Sequence, residues 1–317
     1  MSDNNNDNIL SCANCGKGEE ESINLKYCSA CKLVKYCSAE CQKAHRPMHK
    51  NECKKRAAEL HDEALFKEHP PTEDCPICMI PLPIDKNQSA FYHCCGKHIC
   101  KGCVYGMIMG RLSKGKITDA QVDKCKICPF CRNIPEEGVE SLQRLADKDN
   151  AQACFDLSRY YIFGLNDLPR DMKKAHELLL KAGKLGKGRA FHNLGVSYEN
   201  GSVERDLKKS KHFYELAVIN GNVASRTAIG NIETRAGNID RAKRHFLLGA
   251  RAGDTECLDL IKVGYTKLGF ITKDEYADAL RAYQKRRDEM KSDDRENAKL
   301  VMAKKEQQKL SEQLSMM

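Results

Sequence analysis

A pattern of apolar and polar positions repeats along the second half of the chain. The stretch ACFDLSRYYIFG at 153–164 aligns with AFHNLGVSYENG at 190–201. In both copies leucine and tyrosine stand four residues apart, a spacing that places them on one face of a helix and predicts that they belong to the core. A looser third copy occupies 225–253, and a decayed fourth follows over about 256–284. Copies that recur every 32 to 35 residues are typical of stacked helix pairs.

Residues of three kinds predict where these helices begin, end and touch. Small residues let paired helices approach closely, a glycine ends the first helix of a pair, and an aspartate caps the start of the second. They are Ala153, Ala190 and Ser225; Gly164 and Gly201; and Asp171 and Asp206. This pattern, with KA or KS opening the second helix, resembles Sel1-like repeats. The resemblance implies an α-solenoid over 142–285 that acts as a scaffold for binding other proteins.

The first half of the chain is rich in cysteine. The 317 residues include 18 cysteines, and all but Cys154 and Cys257 lie within 12–131. The start of the chain lacks a secretory signal and no apolar run reaches the length of a membrane span, so we expect an intracellular protein, cytoplasmic or nuclear, without a membrane partner. Cysteines clustered in a reducing compartment are typical of metal sites. The net charge of +9 is spread along the chain, which favours a solvated surface over nucleic-acid binding.

These patterns divide the chain into six segments. We predict a disordered tail at 1–10, a first cysteine block at 11–54, a charged linker helix at 55–73, a second cysteine block at 74–136, the repeats at 142–285, and a charged C-terminal helix or tail at 286–317. The predicted fold class is therefore mainly α: two small cross-brace zinc-binding domains followed by an α-solenoid of Sel1-like helix pairs.

The first cysteine block contains four spaced pairs of zinc ligands. They are Cys12 with Cys15, Cys28 with Cys31, Cys37 with Cys41, and His49 with Cys53. Cys-x2-Cys knuckles turn two thiolates to one side of a tight loop, which suits tetrahedral zinc. The block resembles a MYND zinc finger, whose second half is carried by YCSAECQKAHRPMHKNEC. The resemblance implies interleaved sites, with Cys12, Cys15, Cys37 and Cys41 on one zinc and Cys28, Cys31, His49 and Cys53 on the other. It also implies docking of proline-containing peptides.

The second cysteine block has the frame of another zinc domain. The pairs Cys75 with Cys78, Cys100 with Cys103, and Cys128 with Cys131 resemble a RING finger. Lys97 stands where that family usually has a histidine. In all-cysteine RING fingers the fourth ligand lies five residues before the fifth, and that spacing selects Cys95.

The third ligand of the second block stays open at the level of sequence. Cys94 is favoured over His93 because a thiolate matches the softness of the other ligands, and His98 remains an alternative. The resemblance implies that Cys75, Cys78, Cys100 and Cys103 bind one zinc and that Cys94, Cys95, Cys128 and Cys131 bind the other. Two double-zinc fingers predict four Zn²⁺ per chain. Cys125 is interpreted as a spare thiol, and nearby lysines (Lys97, Lys101, Lys124 and Lys126) could screen the thiolate charge.

No residue in the sequence is typical of a catalytic nucleophile, acid or base. The RING resemblance implies a surface that binds a ubiquitin-conjugating enzyme and ubiquitin, formed by Ile77, Pro129 and Arg132. Two hypotheses follow: a RING-type ubiquitin ligase or ligase subunit that recruits clients through its other domains, or a non-catalytic adaptor that binds proteins. Nucleic-acid binding is the weakest candidate because the fingers lack a basic recognition helix and an aromatic stacking platform.

Overall fold

The structure is a computed structural model. It describes residues 11–18, 24–68, 73–84, 88–112, 127–133, 138–202 and 204–315. The predicted tail at 1–10 and Cys125 lie outside the described residues. The chain forms two compact units, Met1–Lys67 and Glu68–Met317, and each is described by itself.

The first unit consists of a short hairpin and one long helix. Strands β1 (Lys26–Tyr27) and β2 (Lys35–Tyr36) pair antiparallel, with Lys26 opposite Tyr36. Helix α1 spans Ala39–Leu65, and the side chain of Ser38 caps its start by accepting from the Cys41 amide at 3.2 Å.

Helix α1 differs from the predicted linker helix at 55–73. The segment is not a separate helix, because α1 runs without a break from the first cysteine block through the charged sequence to Leu65. The sequence from Lys54 to Leu65 is rich in good helix formers, and Arg56 pairs with Glu63 at 2.7 Å along the same helix. The chemical boundary between cysteine-rich and charged sequence is therefore not a structural one.

The second unit begins with a small α/β finger. Strands β3 (Ser89–Tyr92) and β4 (Lys97–Cys100) pair antiparallel, with Ser89 opposite Cys100. Gly96 takes a left-handed conformation (φ 70°) in the turn between them. Helix α2 (Lys101–Leu112) follows β4 directly.

Eight helices then form the solenoid. They are α3 (Val139–Asp147), α4 (Ala151–Phe163), α5 (Met172–Lys184), α6 (Gly188–Asn200), α7 (Leu207–Ile219), α8 (Ala224–Arg235), α9 (Ile239–Arg251) and α10 (Thr255–Val263). Consecutive helices pack against each other, and Leu157 and Leu194 are fully buried between them. The predicted α-solenoid is confirmed.

The predicted helix-end signals act as expected. Asp171 accepts from the Lys174 amide at 3.0 Å and so caps α5, and Asp206 caps α7 in the same way. Gly164 and Gly201 end α4 and α6 with φ values of 64° and 76°. Local chemistry therefore sets the helix boundaries of the repeats.

The C-terminal part forms two helices separated by a short break. Helix α11 (Lys273–Glu289) starts at a capping box made by Thr272 and Glu275, and α12 (Asp293–Ser315) follows the break. Because α12 packs against α2 of the finger, this segment is not the wholly solvated charged helix that its composition indicates.

Candidate metal centres

Four Cys-x2-Cys turns share one backbone geometry. In each turn the residue after the second cysteine has a left-handed conformation, and its amide donates to the carbonyl of the first cysteine at 2.8 to 3.0 Å. These residues are Gly16 (φ 75°), Lys32 (φ 56°), Met79 (φ 55°) and Arg132 (φ 59°). The amide of the first cysteine in turn donates to a carbonyl further along the loop at 2.8 to 2.9 Å. The turns of the first finger and of the second finger are thus built alike.

In the first finger, eight ligand side chains converge on two points. One group is Cys12, Cys15, Cys37 and Cys41, the other is Cys28, Cys31, His49 and Cys53, and in each group the ligand atoms lie within 4.8 Å of one another. The Sγ atoms of Cys15 and Cys37 are 3.6 Å apart. Zinc–sulfur bonds of about 2.3 Å in a tetrahedron require sulfur–sulfur distances of about 3.8 Å. The donor sets and their spacing therefore fit zinc.

In the second finger, two further groups meet the same test. One is Cys75, Cys78, Cys100 and Cys103, and the other is Cys94, Cys95, Cys128 and Cys131. The Sγ atoms of Cys75 and Cys103 are 3.7 Å apart, and those of Cys78 and Cys100 are 3.8 Å apart. The structure brings together the same sets that the sequence predicts, and their assignment as zinc ligands stays a prediction.

The histidines near the second finger's turn lie outside these groups. Both His93 and His98 place their rings beside Phe91, with centroids 5.4 and 5.1 Å away. Burial lowers the pKa of His98 to about 4, so its imidazole is neutral near pH 7. Among the described residues, Cys94 rather than either histidine completes the second group.

Backbone amides donate hydrogen bonds to several of the sulfurs, and such bonds favour the thiolate form. In the second finger, the Cys100 amide donates to Cys75 Sγ and the Cys103 amide donates to Cys100 Sγ, both at 3.4 Å. Burial raises the pKa of Cys12, but hydrogen bonds from backbone amides outweigh it and bring the pKa to about 6. The thiolate is the form that binds metal.

Sequence reasoning missed one residue at these sites. The guanidinium of Arg295 donates to Cys78 Sγ at 3.5 Å across a separation of 217 residues. Of the lysines that lie near the ligands in sequence, Lys97 hydrogen-bonds Cys95 through its backbone amide, and Lys124 and Lys126 lie outside the described residues. A local charge pattern could not have singled out Arg295.

The residues predicted to bind a conjugating enzyme lie at the surface of the second finger. Ile77 is 41% exposed although it is apolar. Pro129 is half-buried and Arg132 is exposed. The predicted contact side chains are therefore accessible on the two turns that carry them.

Comparison with known families identifies two of the regions. The MYND finger profile matches residues 12–53, and the Sel1 repeat profile matches residues 151–187, 190–222 and 230–254. Both predicted resemblances are confirmed over these ranges, and MYND fingers and Sel1 repeats are protein-interaction domains.

Three similar proteins illustrate these matches. The SET domain and MYND-type zinc finger protein 6 of Schizosaccharomyces pombe is 50% identical over 40 residues, 13% of this chain and 8% of that protein. The ERAD-associated E3 ubiquitin-protein ligase component HRD3A of Arabidopsis thaliana is 37% identical over 71 residues, 22% of this chain and 10% of that protein. The chain thus spans a tenth or less of either relative. The crystal structure of c5321 from uropathogenic Escherichia coli, which displays an SLR fold, has 23% identity and a TM-score of 0.41 over 49% of this chain and 34% of that chain.

Two cysteine-rich fingers precede the repeats along the chain. No helix among the described residues is long and apolar enough to cross a membrane. The cysteine groups of both fingers support zinc binding, and those of the second finger fit a RING-like domain. The chain therefore carries a MYND finger at 12–53 and Sel1 repeats between 151 and 254, with a RING-like cysteine-rich finger between them.

Proposed function

We propose that this chain acts in ubiquitin transfer as a RING-type ligase or as a ligase subunit. The second finger would hold a conjugating enzyme charged with ubiquitin, and the MYND finger and Sel1 repeats would recruit client proteins. Four zinc ions would hold the two fingers in shape, since four protein ligands leave no open position on the metal. Catalysis would then consist of holding the thioester in a reactive geometry.

The exposed apolar residue Ile77 is the observation that carries this proposal. It is 41% exposed at the tip of the turn formed by Cys75 and Cys78, where its side chain contributes little to the core of the finger. An apolar side chain displayed on a rigid turn suits contact with a partner protein. Arg132, on the turn that ends with Cys131, is exposed as well and would hydrogen-bond ubiquitin.

One relative adds support of a different kind. HRD3A is named as a component of an E3 ubiquitin-protein ligase, and its similarity to this chain covers 71 residues. That name favours membership of a ligase assembly over a role outside ubiquitin transfer. The cysteine content supports the cytoplasm or the nucleus as the compartment.

A second candidate function is that of a non-catalytic adaptor. It is favoured because the two regions that match known families are both interaction domains. In that role the MYND finger would bind proline-containing peptides, the repeats would bind a second protein, and the second finger would bind a third. The adaptor and the ligase differ in one measurable property, the acceleration of ubiquitin transfer.

The discriminating experiment is a ubiquitin-discharge assay with the full chain and a panel of charged conjugating enzymes. Ile77→Ala should abolish acceleration, because loss of a central apolar contact costs about 2 kcal/mol or more, which is over tenfold in affinity. Arg132→Ala should slow discharge while leaving binding of the conjugating enzyme nearly unchanged, because ubiquitin would then sample unreactive poses.

Matched controls come from the first finger. Lys32 occupies the same left-handed position (φ 56°) as Arg132 (φ 59°) in an equivalent turn, so Lys32→Ala tests the turn without the proposed contact. Met48 is 84% exposed, and Met48→Ala removes an exposed apolar side chain elsewhere. Neither variant should change the rate. If the wild-type chain accelerates discharge with no enzyme of the panel, the ligase proposal fails and the adaptor replaces it.

A further inference from the structure

Arg295 lies buried against the first ligand group of the second finger. Its side chain is 3% exposed, although it belongs to a C-terminal helix of highly charged sequence. Its Nη2 donates to Cys78 Sγ at 3.5 Å and to the Ile80 carbonyl at 3.1 Å. Its Nη1 donates to the carbonyls of Pro81 and Met290 at 2.8 Å each. The guanidinium is therefore fixed against the loop that carries a predicted zinc ligand.

The charge of Arg295 needs a counter-charge that the protein must supply. A buried cation is costly unless it is paired. Among the described residues no carboxylate pairs with this guanidinium, and its oxygen partners are neutral carbonyls. Four thiolates on Zn²⁺ carry two net negative charges, and the metal with its ligands often dominates the local field. The thiolate group of Cys75, Cys78, Cys100 and Cys103 is the anionic partner that the contacts provide.

The close packing of α2 against α12 allows Arg295 to contact the loop that carries Cys78. A Cβ at Gly102 would lie 2.6 Å from Arg295 Cγ and 2.8 Å from its backbone nitrogen. A Cβ at Gly106, one turn later, would lie 2.8 Å from Asp294 Oδ2. Because both positions are glycine, the start of α12 lies close enough to α2 for Arg295 to contact the loop that carries Cys78. Gly102 stands between the two ligands Cys100 and Cys103, so the helix contact and the metal site share the same few residues.

We propose that Arg295 is the counter-ion of the first zinc site of the second finger, and that helix α12 docks on the finger through this charge. The C-terminal helix α12 then contributes a charged side chain to the zinc site. Removal of the zinc releases the helix, and removal of the guanidinium weakens the hold of the site on zinc. The inference rests on zinc binding by the cysteine group and is independent of ligase activity.

The test uses the full chain loaded with zinc and a chelator in increasing concentration. Alkylation of Cys78 with N-ethylmaleimide, mapped by peptide mass spectrometry, reports when this site loses its metal. Arg295→Gln should lower the chelator concentration at which half of Cys78 is alkylated. The expected shift corresponds to zinc binding about 10–100-fold weaker, the usual cost of removing a partner of a ligand. Arg295→Lys keeps the positive charge and should restore most of the affinity.

Two controls separate charge from packing. Arg286, on α11, is also largely buried but pairs with Glu289 at 3.2 Å, so Arg286→Gln should leave Cys78 protected at wild-type chelator concentrations. Cys28 in the first finger should show an unchanged midpoint in every Arg295 variant. Arg295→Gln that holds zinc as tightly as wild type overturns the proposal. So does Arg295→Lys that loses as much affinity as Arg295→Gln, because the position would then matter for shape alone.

A second measurement avoids variants that fail to fold. Hydrogen exchange of the wild-type chain, with zinc and after chelation, should show α12 amides near Arg295 losing protection when the metal is removed. Helix α5, in the middle of the solenoid, should keep its protection. Equal protection of α12 in both states would show that the helix docks without the metal–thiolate charge, and the proposal would be wrong.

Discussion

The two fingers use the same cysteine turns but are supported differently. The first belongs to a compact unit, Met1–Lys67, where Cys12, Cys28 and Cys31 pack with Leu25 and Tyr36. Its core is small, and small domains need metals or disulfides to supply the stability that a small apolar core does not. The first finger therefore depends mainly on its own ligands.

The second finger draws on the solenoid and the C-terminal helix. Phe91 packs against the solenoid core, and a Cβ on Gly96 would lie 2.5 Å from the side chain of Asn150 on the loop before α4. Arg295 reaches its ligand loop from α12. Identical local turns can thus serve a self-contained domain and a domain built into a larger one, and the difference lies in long-range contacts.

The largest difference should appear when each finger loses a zinc ligand. Cys53→Ser should release one zinc and raise hydrogen exchange only within the first unit. Cys95→Ser should release one zinc, unfold the second finger locally, and raise exchange in the adjoining helices α3 and α12 as well, because both contact this finger. Hydrogen exchange with mass spectrometry measures both effects. Spread of the Cys53→Ser effect into residues 68–317 would remove the contrast between the fingers.

A smaller effect should come from two glycines on one helix. Gly102→Ala forces a methyl group against the backbone of Arg295 and should destabilise the second unit by about 1–3 kcal/mol, the usual cost of overpacking. Gly110 has no atom within 4 Å of an added Cβ, so Gly110→Ala should stabilise α2 by about 0.5–1 kcal/mol. Chemical denaturation of the two variants gives the sign of each change in the free energy of unfolding. Shifts of the same sign would show that α12 does not press on α2 at Gly102.

The smallest effect should come from His98, a residue that the sequence alone left open as a zinc ligand. His98 packs against Phe91, so His98→Ala should lose some packing but keep all zinc. Cys94→Ser should lose one ion. Zinc counting by native mass spectrometry separates the two variants, and release of zinc by His98→Ala would show that the ligand register of the second finger is wrong.

Much of this molecule could be predicted because its signals are local. Some signals act within a few residues, such as the spacing of Cys75 and Cys78 and the caps at Asp171 and Asp206. The repeat period is visible because it recurs along the chain. Arg295 could not be found in this way, since its contact with Cys78 spans 217 residues and depends on glycines in α2. The continuity of α1 across the first block was also hidden, because composition changes there while helix propensity does not.

The central prediction is that each of the two fingers binds two zinc ions. Native mass spectrometry of the full chain, purified with zinc and without chelator, tests that claim most directly. The predicted result is a mass that corresponds to four Zn²⁺ per chain, which falls by one ion in Cys53→Ser and by one ion in Cys95→Ser. A chain that carries two ions or fewer, or that keeps all its zinc when Cys95 is replaced, would contradict the claim.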